Sequence, residues 1–188
     1  MPTEPHSPTD ELKEEHVLVL MVVEAMEREV AYIEANDRVH AERVAQMIEF
    51  TRNFTDGCHH AKEEKLLFPV LEERSRAGAG QVSILLSEHM AGREAVRAIA
   101  DNLPRVDEDA DARKAVAENL GLYAFLLRLH INKEDTVLFP LADEVLSDQE
   151  AELLEEEFQR VELEETGEGV HERYHHLAHE LAEAAGLD

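Results

Sequence analysis

Tryptophan is absent from this chain of 188 residues, cysteine occurs once, and glycine (8) and proline (6) are scarce. A single cysteine excludes an internal disulfide and a zinc site built from four cysteines. Because aromatic residues make up only 5% of the chain, a β-sandwich or β-barrel is disfavoured. No segment approaches the roughly 18 apolar residues of a membrane-spanning helix, and the first residues do not resemble a signal peptide. These absences predict a soluble, cytoplasmic, mostly helical protein.

Basic residues are also few. The chain contains 18 Lys and Arg residues and 43 Asp and Glu residues, which gives a formal net charge of −25. Phosphate backbones and anionic membrane surfaces repel such a chain, so we expect neither nucleic acid nor a membrane as a partner. Histidine, in contrast, is abundant. The imidazole group is the commonest metal ligand in proteins, so the positions of the 11 histidines become the main question.

Helix signals account for most of the chain. A capping box at Ser7, followed by Pro8, begins the first predicted helix, and a second capping box begins a helix at Ser147. Pro69 is expected to kink or end the second helix, and the glycine-containing segment 78–80 is the clearest predicted loop. Apolar residues at helical spacing predict long helices over residues 8–35, 39–76, 81–102 and 107–146, and two shorter helices on either side of the break at 167–169.

Four long helices with short links predict an all-α fold, an up-down-up-down four-helix bundle with one or two additional C-terminal helices. The division that we expect is an N-terminal tail (1–9), the bundle (10–146) and a C-terminal helical extension (147–188). The oligomeric state is expected to be a monomer or a homodimer.

A polar pattern occurs twice inside these apolar helices. The segment HHAKEEKLLFP begins at His59, and HINKEDTVLFP begins at His130. The preceding helix of each pair carries a Glu-His dipeptide, which ends at His16 in the first copy and at His89 in the second. Packing alone rarely produces a repeat of polar residues, so the pattern indicates chemistry.

The spacing His-x-x-x-Glu places both side chains on one face of a helix, and the flanking apolar residues turn that face inward. Together with one histidine from each partner helix, four imidazoles and two carboxylates would share one core. Burying these groups uncompensated would cost several kcal/mol, which metal ions would offset. Nitrogen and oxygen donors without a thiolate suit iron or manganese, and zinc is a further alternative.

On these motifs the chain resembles the hemerythrin-like family, whose domain is called the HHE cation-binding domain. The resemblance covers residues 10–146 and implies a four-helix bundle with two iron ions joined by a solvent-derived oxo or hydroxo bridge. It implies binding of, or reaction with, O2, peroxide or nitric oxide, in the handling of oxidative or nitrosative stress. Matched position by position, the terminal ligands would be His16, His59, His89 and His130, and the bridging carboxylates Glu63 and Glu134.

Oxygen carriers similar to this chain have a second histidine one turn after the helix-3 ligand, where this sequence has Arg93. One fewer imidazole leaves a coordination position open, which favours reactive chemistry over reversible oxygen carriage. Consumption of peroxide or nitric oxide by an enzyme is therefore one expectation. A metal-dependent iron or oxygen sensor and an iron-storage protein are the alternatives that the sequence leaves open.

Several further residues are candidates for roles at this site. Tyr123 is two turns before His130 and could hydrogen-bond a ligand or bound peroxide. Arg93 could pair with an acidic residue such as Glu24 and control access. His171 or His175, from a C-terminal histidine stripe, could supply the missing imidazole. The pair of His60 with Glu64 also has i,i+4 spacing, but the repeat favours the register of His59, and we expect no metal role for His60.

Overall fold

The structure is a computed structural model that describes residues 7–163, 167 and 169–187, and this part of the chain is helical without any β-strand. No helix in it is long and apolar enough to cross a bilayer. Residues 1–6 of the expected tail and the end of the fifth predicted helix lie outside the described residues. The helices are α1 (Pro8–Asn36), α2 (41–74), α3 (Arg76–Asn102), α4 (110–145), α5 (Asp148–Val161) and α6 (Val170–Ala184).

Both predicted capping boxes are confirmed. The Ser7 backbone N–H donates to Asp10 Oδ2 over 3.3 Å, and the Ser147 N–H donates to Glu150 Oε2 over 3.0 Å. Pro8 follows as the first residue of α1, where its missing N–H costs nothing because no intrahelical acceptor exists there. The first helix therefore begins where its capping box predicts.

Helices α2 and α4 contain π-helical turns in which each N–H bonds to the carbonyl five residues earlier. These turns cover Thr51–His60 and Glu63–Leu67 in α2, and Glu134–Leu138 in α4. The last two come directly before the Phe-Pro pairs, at Pro69 and Pro140. Proline cannot donate a hydrogen bond and clashes with the preceding turn of an α-helix, and the wider turn accommodates both effects. Each helix therefore continues past its proline, with a changed register at the glutamate of the repeat.

The expectation of a loop at 78–80 is wrong, because α3 already begins at Arg76. Ser75 alone adopts the extended conformation between α2 and α3, and its hydroxyl accepts a hydrogen bond from the Gly78 N–H over 3.1 Å. Gly78 allows close packing of the helices, since a Cβ there would lie 2.9 Å from the Leu71 carbonyl oxygen. The glycine at position 78 is therefore explained by close packing of the two helices and not by a loop.

Alanine substitutions at the two glycines of this segment should therefore have opposite effects. Gly78→Ala is expected to destabilise the protein by roughly 1–3 kcal/mol, because the added methyl group meets backbone. Gly80→Ala, which has nothing within 4 Å of the new methyl group, is expected to stabilise it by about 0.5–1 kcal/mol. Urea unfolding of both variants measures the difference, and equal effects would place the segment outside the helix.

Helices α1 to α4 pack in a ring, in which α1 contacts α2 and α4, and α3 contacts the same two helices. Helices α5 and α6 lie against α1 and α2. The core consists of two apolar clusters, and the C-terminal helices contribute to both, with Phe158 in the smaller and Tyr174 in the larger. Along each helix of the ring, the repeated histidines and glutamates come between residues of one cluster and residues of the other. The fold therefore places a polar layer between two apolar layers.

Candidate metal centre

The polar layer contains two overlapping groups of residues of metal-binding type, and every member is buried. In each group, one donor atom per residue lies within 4.8 Å of the others. The first group is His16, His59, Glu63 and Glu134; the second is His60, Glu63, His89 and His130. The structure thus brings together all six residues that the repeat indicated, and adds His60.

The two carboxylates lie between the histidines of the two groups. Glu134 places Oε2 at 3.2 Å from Nε2 of His16 and Oε1 at 3.0 Å from Nε2 of His130. Glu63 places Oε1 at 3.7 Å from Nε2 of His59 and Oε2 at 3.5 Å from Nε2 of His89. One oxygen of each carboxylate therefore faces each side, which is the arrangement that a carboxylate needs to bridge two cations.

The imidazoles meet in pairs across the layer. His16 and His59 bring their Nε2 atoms to 3.0 Å, and so do His89 and His130. Two nitrogens bound to one metal ion at about 2.1 Å and at a right angle to each other also lie about 3 Å apart. The distances between these nitrogens therefore fit one cation for each pair.

The environment of Glu63 and Glu134 also fits the binding of cations in the polar layer. None of their four carboxylate oxygens has a hydrogen bond of good geometry in the described residues, and both side chains are 0% exposed. Burial raises the pKa of Glu63 well above its usual value, and repulsion from Glu134 raises it further. Burial also disfavours ionised Glu134, but His130 and His16 hold its pKa well below the usual value. Two buried, unsatisfied carboxylates are costly unless cations compensate them.

A second set of carboxylates surrounds this centre and faces the outer nitrogen, Nδ1, of each imidazole. The distances from Nδ1 to the accepting oxygen are 2.8 Å for His16 with Asp135, 2.8 Å for His59 with Glu15, 2.7 Å for His89 with Glu64, and 3.0 Å for His130 with Glu88. Because Nδ1 donates to these acceptors, the Nε2 lone pair is left to point into the polar layer. In the metal-free protein, burial lowers the pKa of His130, but Glu134 and Glu88 outweigh that effect and raise it to about 9, so a bound cation would take the place of the Nε2 proton.

These outer carboxylates follow the repeat and could have been found from the sequence. Glu15 and Glu88 each precede a histidine of the centre, while Glu64 and Asp135 each follow a glutamate of the centre. Each contacts the histidine of a neighbouring helix rather than one of its own helix. The repeated dipeptides were therefore a signal for hydrogen-bond partners as well as for the residues of the centre.

A repeated lysine holds two of the outer carboxylates. The Lys62 ammonium is 0% exposed and donates to Glu11, Glu15 and Glu162 over 2.5, 2.8 and 2.7 Å. Burial lowers the pKa of Lys62, but Glu15 and Glu11 outweigh it, so the pKa is raised and the side chain stays charged. In the second copy Lys133, which is partly exposed, donates to Glu88.

His60 is the member of the centre that sequence periodicity missed. Its side chain is buried, its ring stacks on His89 with centroids 3.7 Å apart, and its Nε2 has no hydrogen-bond partner in the described residues. The expectation rested on the register of the repeat, in which Ile131 of the second copy corresponds to His60 of the first. Because π-helical turns cover Thr51–His60, both His59 and His60 face the polar layer.

Arg93 connects two acidic side chains beside the centre. Its Nε donates to Asp56 Oδ1 and its guanidinium donates to Glu64 Oε1, both over 2.7 Å. The expected pairing with Glu24 is wrong, because Glu24 lies on the exposed surface and pairs with Arg28 instead. Glu64 also accepts from His89, so Arg93 steadies a carboxylate that orients an imidazole of the centre.

A cavity of about 270 Å³ reaches one side of the centre. It contacts His60, His89 and His130, and Tyr123 forms part of its wall. The Tyr123 hydroxyl is buried near the hydroxyls of Thr51 and Thr55, but it forms no hydrogen bond of good geometry in the part of the chain that the structure describes. Burial raises the pKa of Tyr123 above its ordinary value, so the hydroxyl stays protonated and remains a donor.

The structure brings neither His171 nor His175 into the two histidine groups. His171 instead lies near an outer carboxylate of α1, with its Nε2 at 3.9 Å from Glu15 Oε1, and its side chain is 45% exposed. His175 and His179 are exposed on the same helix, with ring centroids 4.7 Å apart. The fifth imidazole near the centre is that of His60, which comes from α2.

Sequence comparisons show which known proteins this chain is similar to. The curated relatives include an uncharacterized protein of Mycobacterium tuberculosis and one of Mycobacterium bovis, each 26% identical over 165 residues. That alignment covers 87% of this chain and 64% of each mycobacterial protein. The iron-sulfur cluster repair protein YtfE of Musicola paradisiaca is 34% identical over 88 residues, which is 45% of this chain and 40% of that protein.

No solved structure matches the chain. A family model described as the hemerythrin HHE cation binding domain matches residues 6–142, which include every residue of both histidine groups. The chain therefore belongs to the hemerythrin HHE cation-binding domain family.

Proposed function

We propose that this protein is an up-down-up-down four-helix bundle that holds two iron ions in its polar layer and binds or reacts with O2, peroxide or nitric oxide. One ion would be held by His16 and His59 and the other by His60, His89 and His130, while Glu63 and Glu134 bridge them. The donor set of imidazoles and carboxylates without thiolate suits iron. The partial similarity to a protein named for iron-sulfur cluster repair supports iron as the native metal.

The bound iron pair would supply the redox change and the binding of the small molecule. The chain's own residues keep the site ready for that chemistry. Each outer carboxylate holds one imidazole through Nδ1, so its Nε2 is aimed without reorganisation. The apolar clusters on both sides of the layer keep solvent away from the bridging glutamates.

One observation carries the proposal of reactivity, namely the unequal access to the two sides of the centre. The cavity contacts all three histidines of the second group and neither His16 nor His59. His16 and His89 are each covered by a phenylalanine ring, Phe139 at 5.4 Å and Phe68 at 5.8 Å, so the cavity alone distinguishes the two sides. A small molecule would enter beside His60, His89 and His130 and pass the Tyr123 hydroxyl. The open coordination position would be on the ion held by only two imidazoles, those of His16 and His59.

Metal analysis of protein purified without oxygen tests this proposal. We expect two irons per chain and an absorption spectrum that changes on addition of O2, peroxide or nitric oxide. The double variant His59→Ala/His130→Ala removes one imidazole from each ion, and we expect it to retain less than about a tenth of the iron.

The matched control is His175→Ala/His176→Ala, which removes two exposed imidazoles from α6 and is expected to keep both irons. Full iron content in the His59/His130 variant would overturn the ligand assignment. A stoichiometry far above two irons per chain would instead favour storage, and a spectrum unaffected by all three small molecules would contradict the proposed reactivity.

A further inference from the structure

The cavity beside the centre is larger than its proposed diatomic ligands require. About 10–15 Å³ of such space holds one water molecule, so a cavity of about 270 Å³ has room for many more atoms than a diatomic ligand contains. O2, nitric oxide and peroxide each contain two heavy atoms and would leave most of the cavity to solvent. Its size is close to the lower limit of about 300 Å³ for sites of small organic molecules, so it fits a ligand at the small end of that class.

The charge of the cavity wall is opposite to that of the protein. Three guanidinium groups, those of Arg52, Arg93 and Arg97, line it together with two carboxylates, Asp56 and Glu88. The wall thus carries an excess of positive charge in a chain whose formal net charge is −25. Such a local reversal attracts anions to this opening in preference to the rest of the surface.

Two of these arginines are available to a ligand. The side chains of Arg52 and Arg97 are exposed, and neither guanidinium forms an ion pair or a hydrogen bond with any residue that the structure describes. Arg93, in contrast, already pairs with Asp56 and Glu64. The free guanidiniums mark the solvent end of the cavity, while the buried histidines mark its inner end.

Between the arginines and the histidines, the wall of the cavity includes apolar side chains and the hydroxyl of Tyr123. Val96 is buried, and Leu127 and Gly92 lie close to Tyr123, since a Cβ on Gly92 would lie 3.4 Å from the Tyr123 ring. The Tyr123 hydroxyl, on a side chain that is 3% exposed, forms no hydrogen bond of good geometry among the described residues, although the Thr51 and Thr55 hydroxyls lie near it. Because neither threonine forms a well-aligned hydrogen bond with it, the Tyr123 hydroxyl is free to turn towards an acceptor in the cavity.

We propose that the cavity binds a small organic monoanion, a carboxylate attached to an apolar body of the size of a benzene ring. The carboxylate lies at the mouth between Arg52 and Arg97, and the body extends past Val96 and Leu127 towards the centre. The Tyr123 hydroxyl donates to an acceptor atom on that body. The inference deepens the proposed function and rests on it only for the metal ion at the inner end of the cavity.

Isothermal titration of the protein as purified, with its metal content measured in parallel, tests the inference. The ligands are benzoate and 4-hydroxybenzoate, with benzyl alcohol as a neutral molecule of similar size and formate as a small carboxylate. We expect both benzoates to bind at least tenfold more tightly than benzyl alcohol and formate. We further expect 4-hydroxybenzoate to bind severalfold more tightly than benzoate in the native protein, but equally in Tyr123→Phe.

The arginines are tested by Arg52→Ala/Arg97→Ala, which should weaken benzoate binding about fivefold or more. The matched control, Arg38→Ala/Arg76→Ala, removes the same charge from two exposed arginines outside the cavity and should leave benzoate affinity within twofold. Equal weakening in both double variants would reduce the effect to net charge and overturn the inference. Benzyl alcohol or formate binding as tightly as benzoate would also overturn it.

The two proposals can fail separately. Benzoate binding that depends on Arg52 and Arg97 in a protein without iron would uphold the cavity inference and overturn the iron centre. Two irons per chain without any benzoate binding would uphold the iron centre and overturn the cavity inference.

Discussion

Replacing Glu63 with methionine is expected to have opposite effects on the metal-free and the metal-loaded protein. Without metal, the substitution removes a buried carboxylate that has no hydrogen bond and that Glu134 repels, so the free energy of unfolding should rise by about 1–4 kcal/mol. With metal, it removes a ligand shared by both groups, so the metal content should fall from two ions to one or none. Urea unfolding in the presence of a chelator and metal analysis of loaded protein measure the two effects.

Glu72→Met is the matched control, because Glu72 is an exposed residue of the same helix. It should leave the metal content unchanged and alter the free energy of unfolding by less than about 0.5 kcal/mol. A metal-free Glu63→Met protein that is less stable than the native chain would contradict the prediction, because the buried carboxylate would then have a stabilising partner without metal.

Lys62→Met and Lys133→Met should differ widely, although the two lysines occupy equivalent positions of the repeat. Lys62 is 0% exposed and its partner Glu15 is 2% exposed, so its loss leaves a buried carboxylate without its cation. We expect a destabilisation of about 3–5 kcal/mol for Lys62→Met. Lys133 and its partner Glu88 are 30% and 21% exposed, and water can replace the lost partner, so we expect at most about 1 kcal/mol for Lys133→Met.

Urea unfolding of both variants at neutral pH gives the comparison, and each variant serves as the control for the other. Similar losses would show that Lys62 is not held as the structure describes. Glu15 also accepts a hydrogen bond from Nδ1 of His59. If metal affinity falls in Lys62→Met but not in Lys133→Met, the lysine acts on the centre through Glu15.

Much of this molecule could be predicted from sequence periodicity. The helical class is confirmed, and so are the capping boxes at Ser7 and Ser147, because these depend on neighbours within one turn of the chain. The repeated His-x-x-x-Glu pattern selected residues that the structure indeed brings together from separate helices. Local patterns succeed here because repeated polar positions inside apolar helices must meet in one core.

Other features depended on contacts between helices. The segment 78–80 was misassigned because Gly78 serves the packing of α3 against Leu71, which the chain near it does not reveal. The partner of Arg93 was misassigned for the same reason, since Asp56 and Glu64 approach it from α2. Composition likewise gave no indication of the positive cavity within a strongly acidic chain.

The amino-acid sequence by itself therefore determined the helical class and six residues of the polar layer, because helical spacing and an internal repeat are local properties. Only the tertiary structure decided that His60 joins the centre, because π-helical turns change which residues face inward. It also decided which lysine of the repeat is buried, since α5 and the residue after it, Glu162, cover the first copy and leave the second partly exposed.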